Sequence, residues 1–303
     1  MTTDNVTLAQ LVLHKGEVVS EWYGPDISVE TTLISWSMAK SITHALVGIA
    51  QMDGLLNVAD NHLFPEWTSD DRRNITLQQL LEMRSGLSWV EDYVDGDASD
   101  VIDMLFGSGK DDNAGYAIAQ PLIAVPGAEW VYSSGTTNVV TRLLGNLLGD
   151  SDGSHAKMEH FMRSRLFDAI GMHAEPKFDA AGTFVGSSYV FATARNFAKF
   201  GQLYLCDGMW DGVRILPEGW VDHARKQHVL DELTGLGYGA HWWTLPGERN
   251  SLVAAGYEGQ YIMVIPDRDL VVVRLGKTVA ELRNDVVAEL REVIEQFPVT
   301  GER

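Results

Sequence analysis

The chain has 303 residues, with 23 Lys and Arg residues against 42 Asp and Glu residues, so its formal net charge is −19. This charge would repel a polyanion, and no basic cluster longer than Arg72-Arg73 offers a local exception. An apolar share of 45% with 21% charged residues is typical of a globular protein with a large core. We therefore expect a folded protein that does not bind nucleic acid.

The chain carries a single cysteine, Cys206, which excludes an intrachain disulfide and, among apolar neighbours, is expected to be a buried thiol. The first residues do not combine a basic stretch with an apolar one, as a secretory signal would. No apolar run approaches the roughly 18 residues of a membrane span. The sequence thus predicts a cytoplasmic protein that does not enter the membrane.

The first predicted element is a β-hairpin, because β-rich runs at 7–13 and 17–23 flank a short connector that contains Gly16. From Ser37 the apolar residues recur at helical spacing, which predicts a helix of about four turns that stops at Asp53-Gly54. This helix is apolar on nearly every side. We therefore expect it to be buried in the middle of the fold.

The middle of the chain is predicted to be mostly helical. Thr76 and Gln79 have the spacing of a capping box, which predicts the start of a second helix. The acidic segment 91–100 is typical of a surface loop, and apolar stripes at 139–147 and 161–170 predict two further helices.

Strands return towards the C-terminus. Apolar runs at 236–244, 259–265 and 270–275 predict three strands, and helical spacing at 279–296 predicts a closing helix. Strands at both ends with helices between them favour an α+β fold, in which both termini form one antiparallel sheet flanked by helices.

The same pattern predicts an inserted all-helical lobe. We place the sheet lobe, an α/β unit, at 1–36 and 236–303, and the mainly helical lobe at 37–235. The two lobes are expected to form one catalytic unit with the cleft between them.

Some common catalytic signatures are missing. The chain has no His-Glu-x-x-His metal motif. Gly276-Lys277-Thr278 is similar to the end of a phosphate-binding loop, but Val271 stands where that loop needs a glycine. We therefore predict neither a metal site nor a cofactor.

The motif that carries chemistry is Ser37-Met38-Ala39-Lys40. Residues three apart at the start of a helix share a face, so the Ser37 hydroxyl and the Lys40 amine can meet. A serine hydroxyl needs a base, and a lysine can be one only when its pKa is lowered. Burial and the helix dipole both lower the pKa of Lys40, and the helix start leaves the Ser37 amide free to bind an oxyanion. A capping serine followed by a solvated lysine gives the same pattern, so other motifs must support the site.

Two later motifs give that support. An extended segment runs into Tyr132-Ser133-Ser134, and a glycine-bounded turn at Tyr257-Glu258-Gly259 leads into Gln260. With these motifs and Glu91-Asp92-Tyr93, the sequence resembles the serine β-lactamase-like superfamily, which includes penicillin-binding proteins and class C β-lactamases. Within it the chain is most similar to the 6-aminohexanoate-dimer hydrolases and related esterases, over nearly its whole length. The resemblance implies a β-lactamase/transpeptidase-like fold.

The resemblance also implies roles for individual residues. It makes Ser37 the acylated nucleophile, Lys40 its activating base and Tyr132 the group that protonates the leaving group. The backbone amides of Ser37 and Gln260 would form the oxyanion hole. The expected substrate contacts are Tyr93, Ser134, Tyr189, Tyr257, Glu258 and Gly259.

Two positions depart from the family pattern. Ser134 stands where the second motif often has an asparagine, and Tyr257-Glu258-Gly259 stands where penicillin-recognising members have Lys-Thr-Gly. The carboxylate of Glu258, in a chain with a charge of −19, would repel the carboxylate of a penicillin. These departures argue against efficient β-lactam turnover and favour neutral esters, neutral amides or substrates with a free amine.

We therefore predict a cofactor-independent serine hydrolase that acts through an acyl-enzyme on a small-molecule carboxylic ester or linear amide. The alternative within the enzymes is a D-amino-acid peptidase or a weak β-lactamase. The alternative from another class is a non-catalytic binding protein on this scaffold. A binding protein need not keep Ser37, Lys40 and Tyr132 together, so their presence favours an enzyme.

Overall fold

The centre of the fold is an antiparallel sheet to which both ends of the chain contribute. The structure, a computed structural model, describes residues 5–93, 98–150 and 153–300. Its strands, in chain order, are β1 (Asn5–His14), β2 (Glu17–Tyr23), β3 (Leu33–Ile34), β4 (Ala174–Pro176), β5 (Val190–Ala192), β6 (Met209–Trp210), β7 (Val213–Arg214), β8 (Val229–Leu230), β9 (Gly237–Tyr238), β10 (Trp243–Thr244), β11 (Leu252–Gly256), β12 (Gln260–Ile265) and β13 (Leu270–Thr278).

The large sheet has the strand order β2-β1-β13-β12-β11-β10-β9-β8. Near the N-terminus, β1 pairs with β13 from Asn5↔Thr278 to His14↔Leu270. The β1–β2 hairpin turns at Lys15 and Gly16, whose φ angles of 52° and 81° are both positive, as a type I′ turn requires. The prediction of one antiparallel sheet completed by both termini is therefore confirmed. A small second sheet has the order β3-β5-β4, and β6 pairs with β7.

The helices lie around this sheet and between its two halves in the sequence. In chain order they are α1 (Ala39–Met52), α2 (Leu77–Leu81), α3 (Asp100–Phe106), α4 (Asn113–Ile118), α5 (Ser134–Leu148), α6 (Ala156–Met162), α7 (Ala194–Leu205), α8 (Trp220–Arg225) and α9 (Arg283–Glu295). The predicted capping box starts α2, since Thr76 Oγ1 accepts from Gln79 N at 3.2 Å and Gln79 Oε1 accepts from Thr76 N at 2.9 Å.

The central strands β12 and β13 of the large sheet are buried on both faces. Alternate residues of these strands point to opposite sides of the sheet. One face, with Ile262 and Val273, joins the core that contains α1, α5 and α7. The other face, with Met263 and Val272, packs against α9. From Ala39 to Ala50 every residue of α1 is buried, which confirms the prediction of a central helix. This burial determines the environment of the side chains that α1 presents at its N-terminal end.

Two sequence expectations are wrong in detail, and one strand was not expected. Segment 236–244 is not one strand but the two short strands β9 and β10, with a turn between them in which His241 has a φ of 53°. Strand β11 was not predicted, because alanine and glycine make up its second half and have little β propensity. Cys206 is exposed rather than buried.

Elements from the predicted helical segment 37–235 also lie on the sheet. Strand β8 forms its edge, and α7 packs against β12 and β13. The division of the chain into two lobes, with boundaries at residues 36 and 235, therefore remains a proposal. In the described ranges, no helix has the length and apolar character needed to cross a membrane. The cytoplasmic location stays a prediction.

Candidate active site

Ser37 lies in a 3-10 turn, Trp36–Met38, immediately before α1. Trp36 has a φ of 43°, an uncommon backbone conformation that is often found at functional sites. Ser35 fixes the turn to β5, since its backbone N donates to Val190 O at 2.8 Å and its hydroxyl donates to Ser188 O at 3.1 Å. The half-buried Ser37 is thus held at one place between the large sheet and the helices.

Lys40 is the second residue of α1, and only 2% of it is exposed. Among the described residues, three oxygen atoms lie within hydrogen-bond distance of Lys40 Nζ: Ser37 Oγ at 3.0 Å, Ser134 Oγ at 3.0 Å and Ser187 O at 3.1 Å. Burial lowers the pKa of Lys40 to about 8, although the charge of Glu91 acts in the opposite direction. An amine with this pKa can take a proton near neutral pH.

Tyr132 reaches the same point from the segment before α5. Lys40 Nζ lies 4.9 Å from the centroid of its ring, and the ring packs against Trp243 and Tyr238 with centroids 5.4 and 5.8 Å away. Burial, followed by the charge of Glu91, raises the pKa of Tyr132, while a hydrogen bond with Ser37 lowers it. The phenol therefore stays protonated and can donate its proton.

Glu91 is a site residue whose role was not predicted from the sequence. Its carboxylate accepts hydrogen bonds from Ser134 Oγ at 2.5 Å, Ser134 N at 2.9 Å, Trp89 Nε1 at 2.6 Å and Tyr93 Oη at 3.0 Å. Ser134 is the first residue of α5, so this carboxylate also lies at a helix N-terminus, where the dipole favours an anion. The acidic composition of 91–100 predicted a solvated loop. Glu91 differs from that expectation, because it is half-buried and hydrogen-bonded within the site.

The corner between β11 and β12 approaches Ser37 from the sheet. A Cβ built on Gly256 would lie 3.2 Å from Ser37 N and 2.5 Å from Ser35 O, so only glycine fits there. Gly256 pairs with Gln260, and the Gln260 side chain donates to Tyr257 O at 3.0 Å and Gly276 O at 2.7 Å. These bonds tie the corner to β13, while Gly256 brings the corner close to the turn that carries Ser37.

Buried Arg274 supports this corner from below. Its guanidinium donates to Gly259 O at 2.7 Å and to Thr278 Oγ1 at 2.8 Å. Only 1% of Arg274 is exposed, and its role was not predicted from the sequence. The sequence signal for a buried arginine was its position among the apolar residues of β13.

An aromatic wall lines the site beside Ser37. Tyr93 stacks on Tyr257 with centroids 4.8 Å apart, and Trp36 contacts Tyr257 at 5.8 Å and Tyr189 at 6.0 Å. Glu258 is the acidic group of this wall, and its Oε2 accepts from Trp36 Nε1 at 3.1 Å. The predicted site residues therefore lie on separated segments of the chain that meet at the start of α1.

Within 5–93, 98–150 and 153–300, no group of three or more His, Cys, Asp and Glu side chains is placed to hold a metal ion.

One known protein family matches nearly the whole chain. The profile of the family described as Beta-lactamase matches residues 3–293. The chain belongs to the Beta-lactamase family. A member of this family is a serine hydrolase, and the chain has the β-lactamase/transpeptidase-like fold.

Individual relatives of this Beta-lactamase family member are distant. The 6-aminohexanoate-dimer hydrolase of Paenarthrobacter ureafaciens is 23% identical over 312 residues, which cover 90% of this chain and 73% of that protein. A solved Bacillus anthracis structure, named as a candidate 6-aminohexanoate-dimer hydrolase, has a TM-score of 0.80 at 22% identity and covers 97% of this chain and 81% of its own. EstA from Arthrobacter nitroguajacolicus Rue61a has a TM-score of 0.69 at 17% identity, with 96% and 92% coverage. At these identities the solved structures establish the fold.

Proposed function

We propose that the protein hydrolyses small carboxylic esters or linear amides through an acyl-enzyme on Ser37. The observation that carries this proposal is the 3.0 Å contact of Ser37 Oγ with Lys40 Nζ in a buried setting that lowers the pKa of the amine to about 8. The two similar proteins named for 6-aminohexanoate-dimer hydrolysis and the EstA structure support the choice of linear amides and esters.

In this mechanism Lys40 Nζ takes the hydroxyl proton as Ser37 Oγ attacks the carbonyl carbon of the substrate. The C–O or C–N bond to the leaving group then breaks, and Tyr132 gives its phenolic proton to the departing atom. Water attacks the acyl-enzyme in the second half of the reaction, with the same groups moving its protons. Hydrolysis releases the acid and regenerates Ser37.

The oxyanion of each tetrahedral intermediate needs two hydrogen-bond donors. The amide of Ser37 is one proposed donor. For the second, the family resemblance suggests the amide of Gln260, which lies in the corner that Gly256 brings close to Ser37. A rigid corner supports this role, because a donor that need not reorganise stabilises developing charge most effectively.

The aromatic wall is the proposed substrate surface. Tyr93, Tyr189 and Tyr257 would contact the substrate, with Gly259 and Ser134 at its edges. Glu258 would place a negative charge beside the substrate in a chain whose formal charge is already −19. Neutral substrates or substrates with a free amine are therefore proposed over anionic ones such as penicillins.

A substrate panel tests this function. Native protein and Ser37→Ala are incubated with p-nitrophenyl butyrate, a 6-aminohexanoate dimer and a chromogenic cephalosporin, and Ser69→Ala serves as a matched control at an exposed serine. We expect the ester or the dimer to be hydrolysed, Ser37→Ala to lose the activity and Ser69→Ala to keep it. An unaltered rate in Ser37→Ala would refute the nucleophile, and a preference for the cephalosporin would refute the argument from Glu258.

A further inference from the structure

Ser134 has one hydroxyl proton, and the structure determines where that proton points. Ser134 Oγ lies 2.5 Å from Glu91 Oε1 and 3.0 Å from Lys40 Nζ. A carboxylate can only accept hydrogen bonds, so the Ser134 proton goes to Glu91. The lone pairs of the Ser134 hydroxyl are then left to accept from Lys40.

The same accounting orients Lys40. A neutral amine has two N–H groups and one lone pair. Ser187 O, a carbonyl, can only accept, so it takes one N–H at 3.1 Å, and Ser134 Oγ takes the other at 3.0 Å. The remaining lone pair faces Ser37 Oγ at 3.0 Å, which is where a base must face to remove the hydroxyl proton.

We propose that Glu91 is a positioning residue for the base: by holding the Ser134 proton it keeps Ser134 an acceptor and leaves the Lys40 lone pair to Ser37. Without that carboxylate the Ser134 hydroxyl can donate to Lys40 and compete with Ser37 for the lone pair. The Ser134–Glu91 pair thereby performs what an amide carbonyl, which can only accept, would perform alone. This inference rests on the proposed hydrolase function, since it concerns the base of that reaction.

The surroundings of Lys40 make the effect of Glu91 separable from other charges. The groups that face the amine are Tyr132, whose phenol stays protonated, and buried His241, whose pKa burial lowers to about 3, so that both are neutral near pH 7. After burial, the charge of Glu91 has the largest effect on the pKa of Lys40, and it raises that pKa. Removing Glu91 should therefore change the rate in two opposite ways. The pKa of Lys40 should fall, which raises the rate at lower pH, and the lone pair of Lys40 should lose its orientation, which lowers the plateau rate.

Glu91→Gln is the test variant because it keeps the shape of the side chain. The amide oxygen of the introduced glutamine can still accept from Trp89 and from Ser134 N, which leaves its NH₂ facing the Ser134 hydroxyl and frees the hydroxyl proton to point at Lys40. Glu129→Gln is the matched control, since it removes the same charge from an exposed position three residues before Tyr132.

The readout is the rate at which a fluorophosphonate labels Ser37 between pH 6 and 10, followed by intact-protein mass spectrometry. In Glu91→Gln we expect the rise of the rate with pH to move to lower pH, and the plateau rate to fall by about tenfold or more because the base is misdirected. Glu129→Gln should match the native protein. Ser134→Asn in the Glu91→Gln background should restore the plateau, because an asparagine oxygen accepts from Lys40 without a carboxylate to orient it.

Each other outcome counts against the proposal. An unchanged plateau with a moved rise would leave Glu91 a purely electrostatic role, and a lower plateau with an unmoved rise would leave it a structural one. If Ser37→Ala is labelled as fast as the native protein, the hydrolase function fails. If Ser37→Ala is unlabelled and Glu91→Gln behaves as native, only the role of Glu91 fails.

Discussion

Lys40 Nζ lies 3.0 Å from Ser37 Oγ across the boundary between a 3-10 turn and helix α1. The spacing of the two residues brings the side chains together, whereas the burial of α1 gives the amine its low pKa. The backbone therefore determines the contact between the two side chains, and the environment determines the pKa of the amine. Substitutions and pH profiles can separate these two contributions.

The first prediction concerns pH. Lys40 must be neutral to take the proton from Ser37, and its pKa is lowered to about 8, so acylation should speed up as the pH rises through about 8 and level off above it. Lys40→Arg keeps the charge but cannot lose its proton, and we expect its rate to fall about 10²–10⁴-fold and to lose this rise. The rate of p-nitrophenyl butyrate hydrolysis from pH 6 to 10 is the measurement. A native profile that is flat from pH 6 to 9 would exclude Lys40 as the titrating base.

The second prediction concerns Tyr132. Tyr132→Phe removes the phenolic proton and keeps the ring that packs against Trp243 and Tyr238. We expect little change in Tm and a loss of kcat of about 10²-fold or more for an amide, whose amine must be protonated to leave. For p-nitrophenyl butyrate the loss should be much smaller, because p-nitrophenolate leaves without a proton. Equal losses on the two substrates would contradict the proton-donor role.

The third prediction concerns charge selection by Glu258. Glu258→Gln keeps an acceptor for Trp36 Nε1 and removes the negative charge from the aromatic wall. A neighbouring charge pair in a partly exposed site contributes about 1 kcal/mol, so kcat/KM for an ester with a free amine should fall about fivefold. The value for an ester with a free carboxylate should rise. Glu30→Gln, at an exposed position, is the control, and no change of preference in Glu258→Gln would show that Glu258 does not face the substrate.

The fourth prediction concerns acid stability. Buried His241 donates its Nδ1–H to Leu81 O at 3.0 Å and accepts from Thr137 at 2.7 Å, and burial lowers its pKa to about 3. Because the unfolded chain has the higher histidine pKa, near 6.5, the stabilisation is complete above pH 6.5 and is lost as the pH falls towards 3. Between pH 7.5 and 5 the free energy of unfolding should fall by about 2 kcal/mol from this group.

Chemical denaturation at the two pH values measures that fall. His241→Gln should reduce the pH dependence by the same amount, whereas His62→Gln, at an exposed position, should leave it unchanged. A pH dependence that is identical in native protein and His241→Gln would contradict the assignment.

Local features of the fold were predictable from the sequence because short-range rules determine them. The β1–β2 hairpin follows from its two-residue turn, the start of α2 from the capping box, and the Ser37–Lys40 contact from helical spacing. Where local signals were weak the prediction failed. Strand β11 ends in small residues, which give little strand signal, and Gly256 at its end lets the backbone approach Ser37.

The sequence alone determined the main helices and strands, the family pattern and the residues from which a nucleophile and a base could be chosen. Only the tertiary structure decided the state of those groups. Glu91 is distant from Lys40 and Ser134 in sequence, and its meaning depends on which atoms it meets. Burial and hydrogen-bond direction are properties of three-dimensional neighbours, so the pKa of Lys40 and the orientation of its lone pair become visible only when α1, α5 and the segment around Glu91 are packed together.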